Sequence, residues 1–185
     1  IETQEIKPDY AAAYKWVKDY QKQLAHTYAA EQLEEQGIDI FFHAATFAST
    51  DRLLVGDQHL SFDRALIATG SRPLIPSIEG LNEIEFSTPY SLFKNPNPPK
   101  HIIFLGYTRL VCEQAQVCKS LGVQVSIVSL SPYLVPREVQ ETSSFLKELL
   151  EDVGVKLYLG ASIHHIENAD KEIIIHFDRG HGFES

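Results

Sequence analysis

Phe62-Asp63-Arg64-Ala65-Leu66-Ile67-Ala68-Thr69-Gly70-Ser71-Arg72-Pro73 is an apolar run that ends in Thr-Gly-Ser and is closed by proline. It has the pattern of a strand buried on both faces that delivers a bare backbone turn to a ligand. Leu66 and Ile67 suit burial between layers. Gly70, with no Cβ, lets the chain turn or a ligand approach where another side chain would clash. Pro73 brings no N–H to a ladder and stops the strand. A plain strand ending at a glycine turn carries the same pattern, and one motif does not separate the two readings.

Downstream, Pro73, Pro76, Pro89, Pro96, Pro98 and Pro99 fall before His101 and mark residues 76–100 as a linker or domain crossing. Beyond them the pattern changes. Ile102–Leu105 is continuously apolar, Leu110–Leu121 fits a helix closed by Gly122, and Val123–Val128 is a second buried strand. A strand, a crossover helix and a strand within about thirty residues make a βαβ unit and imply a parallel sheet. A further helix is expected from Arg137 to Val153, closed by Gly154, then a strand at Val155–Leu159 and a hairpin from Ser162–Glu167 and Glu172–Phe177.

Upstream, apolar residues at Tyr10, Tyr14, Val17, Leu24, Tyr28 and Leu33 follow helical spacing and predict one long helix from Asp9 to Gln36, started by Pro8 and Asp9 and ended by Gly37. Its stripe Tyr10, Tyr14, Trp16 and Tyr20 is expected in a core or a subunit contact. Strand-like pieces follow at Ile38–His43, Thr46–Ala48, Arg52–Val55 and His59–Phe62, with Gly56-Asp57 turning between the last two. They are expected to form a small antiparallel set feeding the strand at Ala65–Ala68. Beyond two strand-then-glycine units, no internal repeat or low-complexity tract is present.

The 185 residues are 44% hydrophobic, enough for one large or two small domains with a real core. The net charge of -9, from 25 acidic and 16 basic residues, with no basic stripe, argues against a nucleic-acid or anionic-membrane partner. No apolar run is long enough to span a bilayer and no signal segment opens the chain, so a cytoplasmic location is expected. The chain opens on Ile1 and has no methionine, as expected of a piece of a longer protein or of one whose methionines were lost or replaced. Cys112 and Cys118, six residues apart on one predicted helix, point in directions about 240° apart. They read as small buried hydrophobes.

Gly106 stands at the end of the first βαβ strand, where nucleotide-binding sheets use glycine to bring backbone and helix N-terminus to a pyrophosphate. The G-x-G-x-x-G pattern then breaks. Thr108 puts a branched Cβ at the second glycine position, where backbone meets phosphate, and Val111 adds bulk at the third, where helix presses on strand. Arg109 could supply a charge to an anion, although an arginine near a helix start is more commonly solvated. Ser129 occupies the position after the second strand where an acidic residue would bind the adenosine ribose or an arginine a 2′-phosphate. The three departures point to weakened or absent nicotinamide-cofactor binding. His164, His165 and His176 alternate with apolar residues and are expected to face solvent, and no metal-spaced cluster or Ser-His-Asp set is apparent.

Two strand-glycine units some forty residues apart, joined by a proline-rich crossing, resemble the pyridine nucleotide-disulfide oxidoreductases, the family of dihydrolipoamide dehydrogenase, mercuric reductase and glutathione reductase. Ala68-Thr69-Gly70-Ser71-Arg72-Pro73 resembles that family's second flavin motif and Ile75-Pro76-Ser77-Ile78-Glu79-Gly80 its continuation. His43–Phe47 is similar to the strand whose backbone near Ala45 approaches the adenine. Ile102–Gly106 with Glu113-Gln114-Ala115-Gln116 and Leu121-Gly122 resembles the first strand and helix of the nicotinamide domain.

The resemblance implies an α/β fold. A Rossmann-like parallel-sheet NAD(P)-binding domain over 101–185 would accompany part of an FAD-binding domain over 1–75, with a small antiparallel sheet and a long helix. It implies FAD, and NAD or NADP, as cofactors. The implied cofactor-binding positions are Ala45, Ala68, Thr69, Gly70, Gly106, Thr108, Val111, Glu113 and Ser129, with no catalytic residue and no metal ligand in this stretch. It implies electron transfer from NAD(P)H through FAD to a disulfide or similar acceptor, in a homodimeric parent. The family's first flavin fingerprint, its redox Cys-x4-Cys and its C-terminal dimerisation domain with a His-Glu base are not in this sequence, so the stretch alone is expected to be inactive. The other reading is a diverged, non-catalytic scaffold or protein-interaction module.

Overall fold

The computed structural model describes residues 8–169 and 172–179. Lys15–Pro73 forms one compact unit and the rest of the described chain the other.

The first helix, α1, is Tyr10–Thr27. Its start is capped by the Asp9 carboxylate, which accepts from the Ala12 N–H at 3.0 Å. The long helix expected to Gln36 is broken. The Thr27 hydroxyl donates to the Gln23 carbonyl at 3.1 Å, the back-bonding that competes with and bends a helix. Ala29 turns extended before a short α2, Ala30–Glu34. Gly37, at φ 83°, closes α2 with its N–H on the Glu34 carbonyl and that of Ile38 on the Leu33 carbonyl. The aromatic stripe is not core: no residue of α1 is buried, and Trp16 and Tyr20 stack on each other with both rings exposed. Tyr10 and Tyr14 instead send their hydroxyls to the carbonyls of Asn95 and Lys94.

An antiparallel meander follows: β1 (Ala45–Ser49), β2 (Arg52–Val55) and β3 (Gln58–Ser61), with Gly56 at φ 60° in the β2–β3 turn. Two predicted strands are absent. Ile38–His43 pairs with nothing in sheet geometry, and Phe42 is 81% exposed. The opening motif, 62–73, forms no strand, and Leu66 and Ile67 stand 92% and 71% exposed rather than buried. Their apolar runs lack a facing ladder and a covering layer among the described residues, and a strand exists only when paired.

The second unit holds the parallel sheet. β4 (His101–Leu105), β5 (Gln124–Ser129) and β6 (Lys156–Leu159) pair in that order, His101 opposite Gln124 and Ser126 opposite Lys156. α3 (Arg109–Ser120) and α4 (Gln140–Asp152) connect them, so the predicted strand-helix alternation is the observed one. The core lies between β5 and these helices: Phe104, Ala115, Cys118, Val125, Ile127, Leu134, Leu150 and Val155 are buried together. A hairpin of β7 (Ala161–Ala169) and β8 (Glu172–Arg179) follows. Glu79 forms a parallel bridge to His165, and the Ile166 N–H donates to the Glu79 carbonyl at 2.9 Å. The chain is thus α/β, with a parallel sheet in one unit and a small antiparallel sheet in the other.

Candidate functional site

Five of the expected positions gather at the carboxyl ends of β4 and β5, where open α/β sheets take their ligands. The N–H of Gly106 donates to the Val128 carbonyl at 3.0 Å, extending the β4 ladder one residue before the chain turns at φ 141°. That angle favours glycine, and a Cβ built there would lie 3.3 Å from Val111 Cγ2. Thr108 is the N-cap of α3: its hydroxyl accepts from the Val111 N–H at 3.5 Å and its carbonyl from the Cys112 N–H at 3.1 Å. Glu113 is exposed on the first turns of α3 and pairs with Arg109 at 3.7 Å, an exposed contact of small energetic weight.

Ser129, only 2% exposed at the end of β5, turns its hydroxyl back on its own loop. It donates to the Ser131 carbonyl at 3.1 Å and accepts from the Ser131 N–H at 3.0 Å. Ser131 repeats the device on Tyr133. The loop then reaches the glycine turn, where the Val135 N–H donates to the Tyr107 carbonyl at 2.8 Å. Val135 adopts φ 43° to do so, and Leu134 beside it is fully buried. No pattern in the sequence announces this closure, because it depends on residues that meet only once β4 and β5 are adjacent.

The other four positions lie in the Lys15–Pro73 unit. Ala45 opens β1 and is exposed; Ala68, Thr69 and Gly70 are exposed on a segment outside any strand. Gly70 has φ 72°, and nothing lies within 4 Å of a Cβ built on it. No strand pairing links 62–73 to β1 among the described residues. A cofactor could therefore meet bare main chain at Ala68–Gly70, and Gly70 is needed for its backbone angle rather than for space.

Cys112 and Cys118 are free and buried. Burial raises both thiols, Cys118 to about 11, which opposes thiolate chemistry. No group of three or more metal-ligating side chains is arranged to hold an ion among the described residues. The hairpin histidines are more engaged than solvent-facing residues need be: His164 meets Asp178 at 2.8 Å, His176 meets Glu167 at 2.9 Å, and the His165 and His176 rings lie 5.8 Å apart. Cross-strand register produces these pairs, and their spacing along the sequence does not reveal them.

A family model described as pyridine nucleotide-disulphide oxidoreductase matches residues 2–184. The chain is 27% identical over 146 residues to a mercuric reductase of Staphylococcus aureus, covering 79% of this chain and 27% of that protein. It is 30% identical over 152 residues to a soluble pyridine nucleotide transhydrogenase of Photorhabdus laumondii, covering 80% of this chain and 33% of the relative. Among solved structures, the HOCl-induced flavoprotein disulfide reductase RclA from Escherichia coli superposes with a TM-score of 0.76 at 21% identity, over 95% of this chain and 40% of that one. The chain thus spans about a third or less of the length of these curated relatives.

Proposed function

The chain belongs to the pyridine nucleotide-disulphide oxidoreductase family, and we propose that it serves an FAD-dependent enzyme passing electrons from NAD(P)H to a disulfide or similar acceptor. The observation that carries the reading is the family match over residues 2–184, joined to a parallel sheet whose first strand ends in a glycine at φ 141°. Residues 1–75 would belong to the flavin segment, 76–100 to the crossing and 101–185 to the nicotinamide-type domain. Bound FAD would supply the two-electron chemistry. Ala68–Gly70 and Ala45 would offer it exposed main chain, and residues 62–73, outside any described strand ladder, would join a sheet in the whole protein. The residues of this stretch hold no redox disulfide, since Cys112 and Cys118 are buried on one helix, so the stretch itself is expected to turn nothing over.

Homodimerisation and a cytoplasmic location of the parent belong to the same proposal; among the described residues no helix is long and apolar enough to cross a membrane. The second reading, a scaffold that has lost its nucleotides, draws on Thr108, Val111 and the internally bonded Ser129. One measurement separates the two. The whole protein, purified and incubated with FAD, should retain flavin absorption after desalting and oxidise NADH or NADPH with a disulfide acceptor. A colourless protein with no oxidase or reductase activity would leave the scaffold reading.

A further inference from the structure

We infer that the α3 N-terminus and the end of β5 no longer form a dinucleotide cradle, so this chain takes a nicotinamide dinucleotide weakly and without discriminating NADH from NADPH. The inference rests on the family reading above and concerns the same site. A pyrophosphate needs the free N–H groups of the first helical turn. Here one of them, on Val111, is taken by the Thr108 hydroxyl, and the branched Thr108 side chain stands where a phosphate oxygen would approach. The third glycine position is filled as well: Val111 Cγ2 sits 3.3 Å from the Cβ site of Gly106, occupying the gap that glycine leaves for close helix-strand packing.

The ribose end is closed by its own bonding. The Ser129 hydroxyl is buried and uses both its donor and an acceptor site within the Ser131 turn. The loop that follows is tied to the Tyr107 carbonyl through Val135 and to Gly160, whose N–H donates to the Ser131 carbonyl. Ser129-Leu130-Ser131-Pro132-Tyr133-Leu134-Val135-Pro136 contains no charged residue. That segment therefore brings no carboxylate to accept from a 2′-hydroxyl and repel a 2′-phosphate, and no cation to attract one, and Arg109 at the start of α3 is paired with Glu113. Loss of the phosphate cradle weakens both dinucleotides alike, and loss of the ribose reader removes the difference between them.

Calorimetric titration of the full chain with NADH and with NADPH tests this, alongside a separate flavin-binding assay. The two dissociation constants are expected to agree within about threefold, and Thr108→Gly with Val111→Gly to tighten both by about tenfold, since glycine at an N-cap costs a helix little while freeing its donors. Thr108→Gly alone, which leaves the packing of Val111 intact, is expected to tighten both by a smaller factor and covers the case where the double variant fails to fold. Binding seen only in the glycine variants supports the inference in its strongest form. A tenfold or greater preference of the unaltered chain for one dinucleotide, or unchanged affinity in folded glycine variants, overturns it. Flavin uptake with either of those results means that this inference fails while the proposed flavin-dependent function stands; absence of flavin binding from the whole protein counts against that function instead.

Discussion

Two glycines with nearly the same backbone angle carry different loads. Gly37 at φ 83° and Gly80 at φ 77° are both left-handed, but a Cβ on Gly37 meets nothing within 4 Å, whereas one on Gly80 would collide with the Ile166 carbonyl oxygen. Gly37→Ala should therefore cost only the conformational penalty, about 1 kcal/mol. Gly80→Ala must also displace backbone where Glu79 bridges the hairpin, and should cost at least ~3 kcal/mol. Urea unfolding of the two variants checks this, and equal losses would contradict it. The sequence marked Gly37 as a helix stop because that role is local. It showed Gly80 only as part of a family-like Pro-to-Gly continuation, because the atom that excludes a side chain comes from a strand far along the chain.

The strands and helices were legible in proportion to how much of their burial comes from this chain. β4, α3, β5, α4 and β6 follow the predicted order because each apolar run finds its neighbour within the same unit. Residues 62–73 carry an equally apolar run and form no strand, since periodicity reports what a segment can bury and not whether a partner is at hand. Within β4, His101 offers a test of the sheet. Its Nε2 lies 2.9 Å from the Ser126 hydroxyl on β5, and burial, followed by the nearby Lys156 ammonium, lowers its pKa from 6.5. The unfolded chain then takes up the proton at a higher pH than the folded one. Stability from this group is full above the unfolded value and is lost as pH falls through the folded value. His101→Gln should flatten the fall in unfolding free energy below about pH 6.5, read from urea titrations at several pH values; an unchanged slope would rule His101 out as its source.

At the scale of the molecule, stability is distributed unevenly. Val55 is the one buried residue among those described in the Lys15–Pro73 unit, whereas the other unit buries a contiguous cluster around Ile127 and Leu150. Amides of β1 to β3 should therefore exchange with solvent through local opening well before those of β5, which should exchange only on global unfolding. Hydrogen exchange followed by mass spectrometry reads this directly, and equal protection of the two regions would refute it. The net charge and the 44% apolar content gave no hint of the imbalance, because bulk composition does not record where a core lies. The candidate site shows the same limit: Gly106 and its broken fingerprint were readable as a pattern, while the loop that bonds back onto it was not.

The bridge from Glu79 to His165 also has a bearing on the order in which the chain folds. It joins points that precede β4 and follow β6, so the entire parallel sheet with its two helices lies inside the loop that it closes. Closing so long a loop is entropically unfavourable until the intervening chain is already compact. The contact is therefore expected to be a late clasp, fastened after the sheet has assembled, with Gly80 the link narrow enough to let it shut.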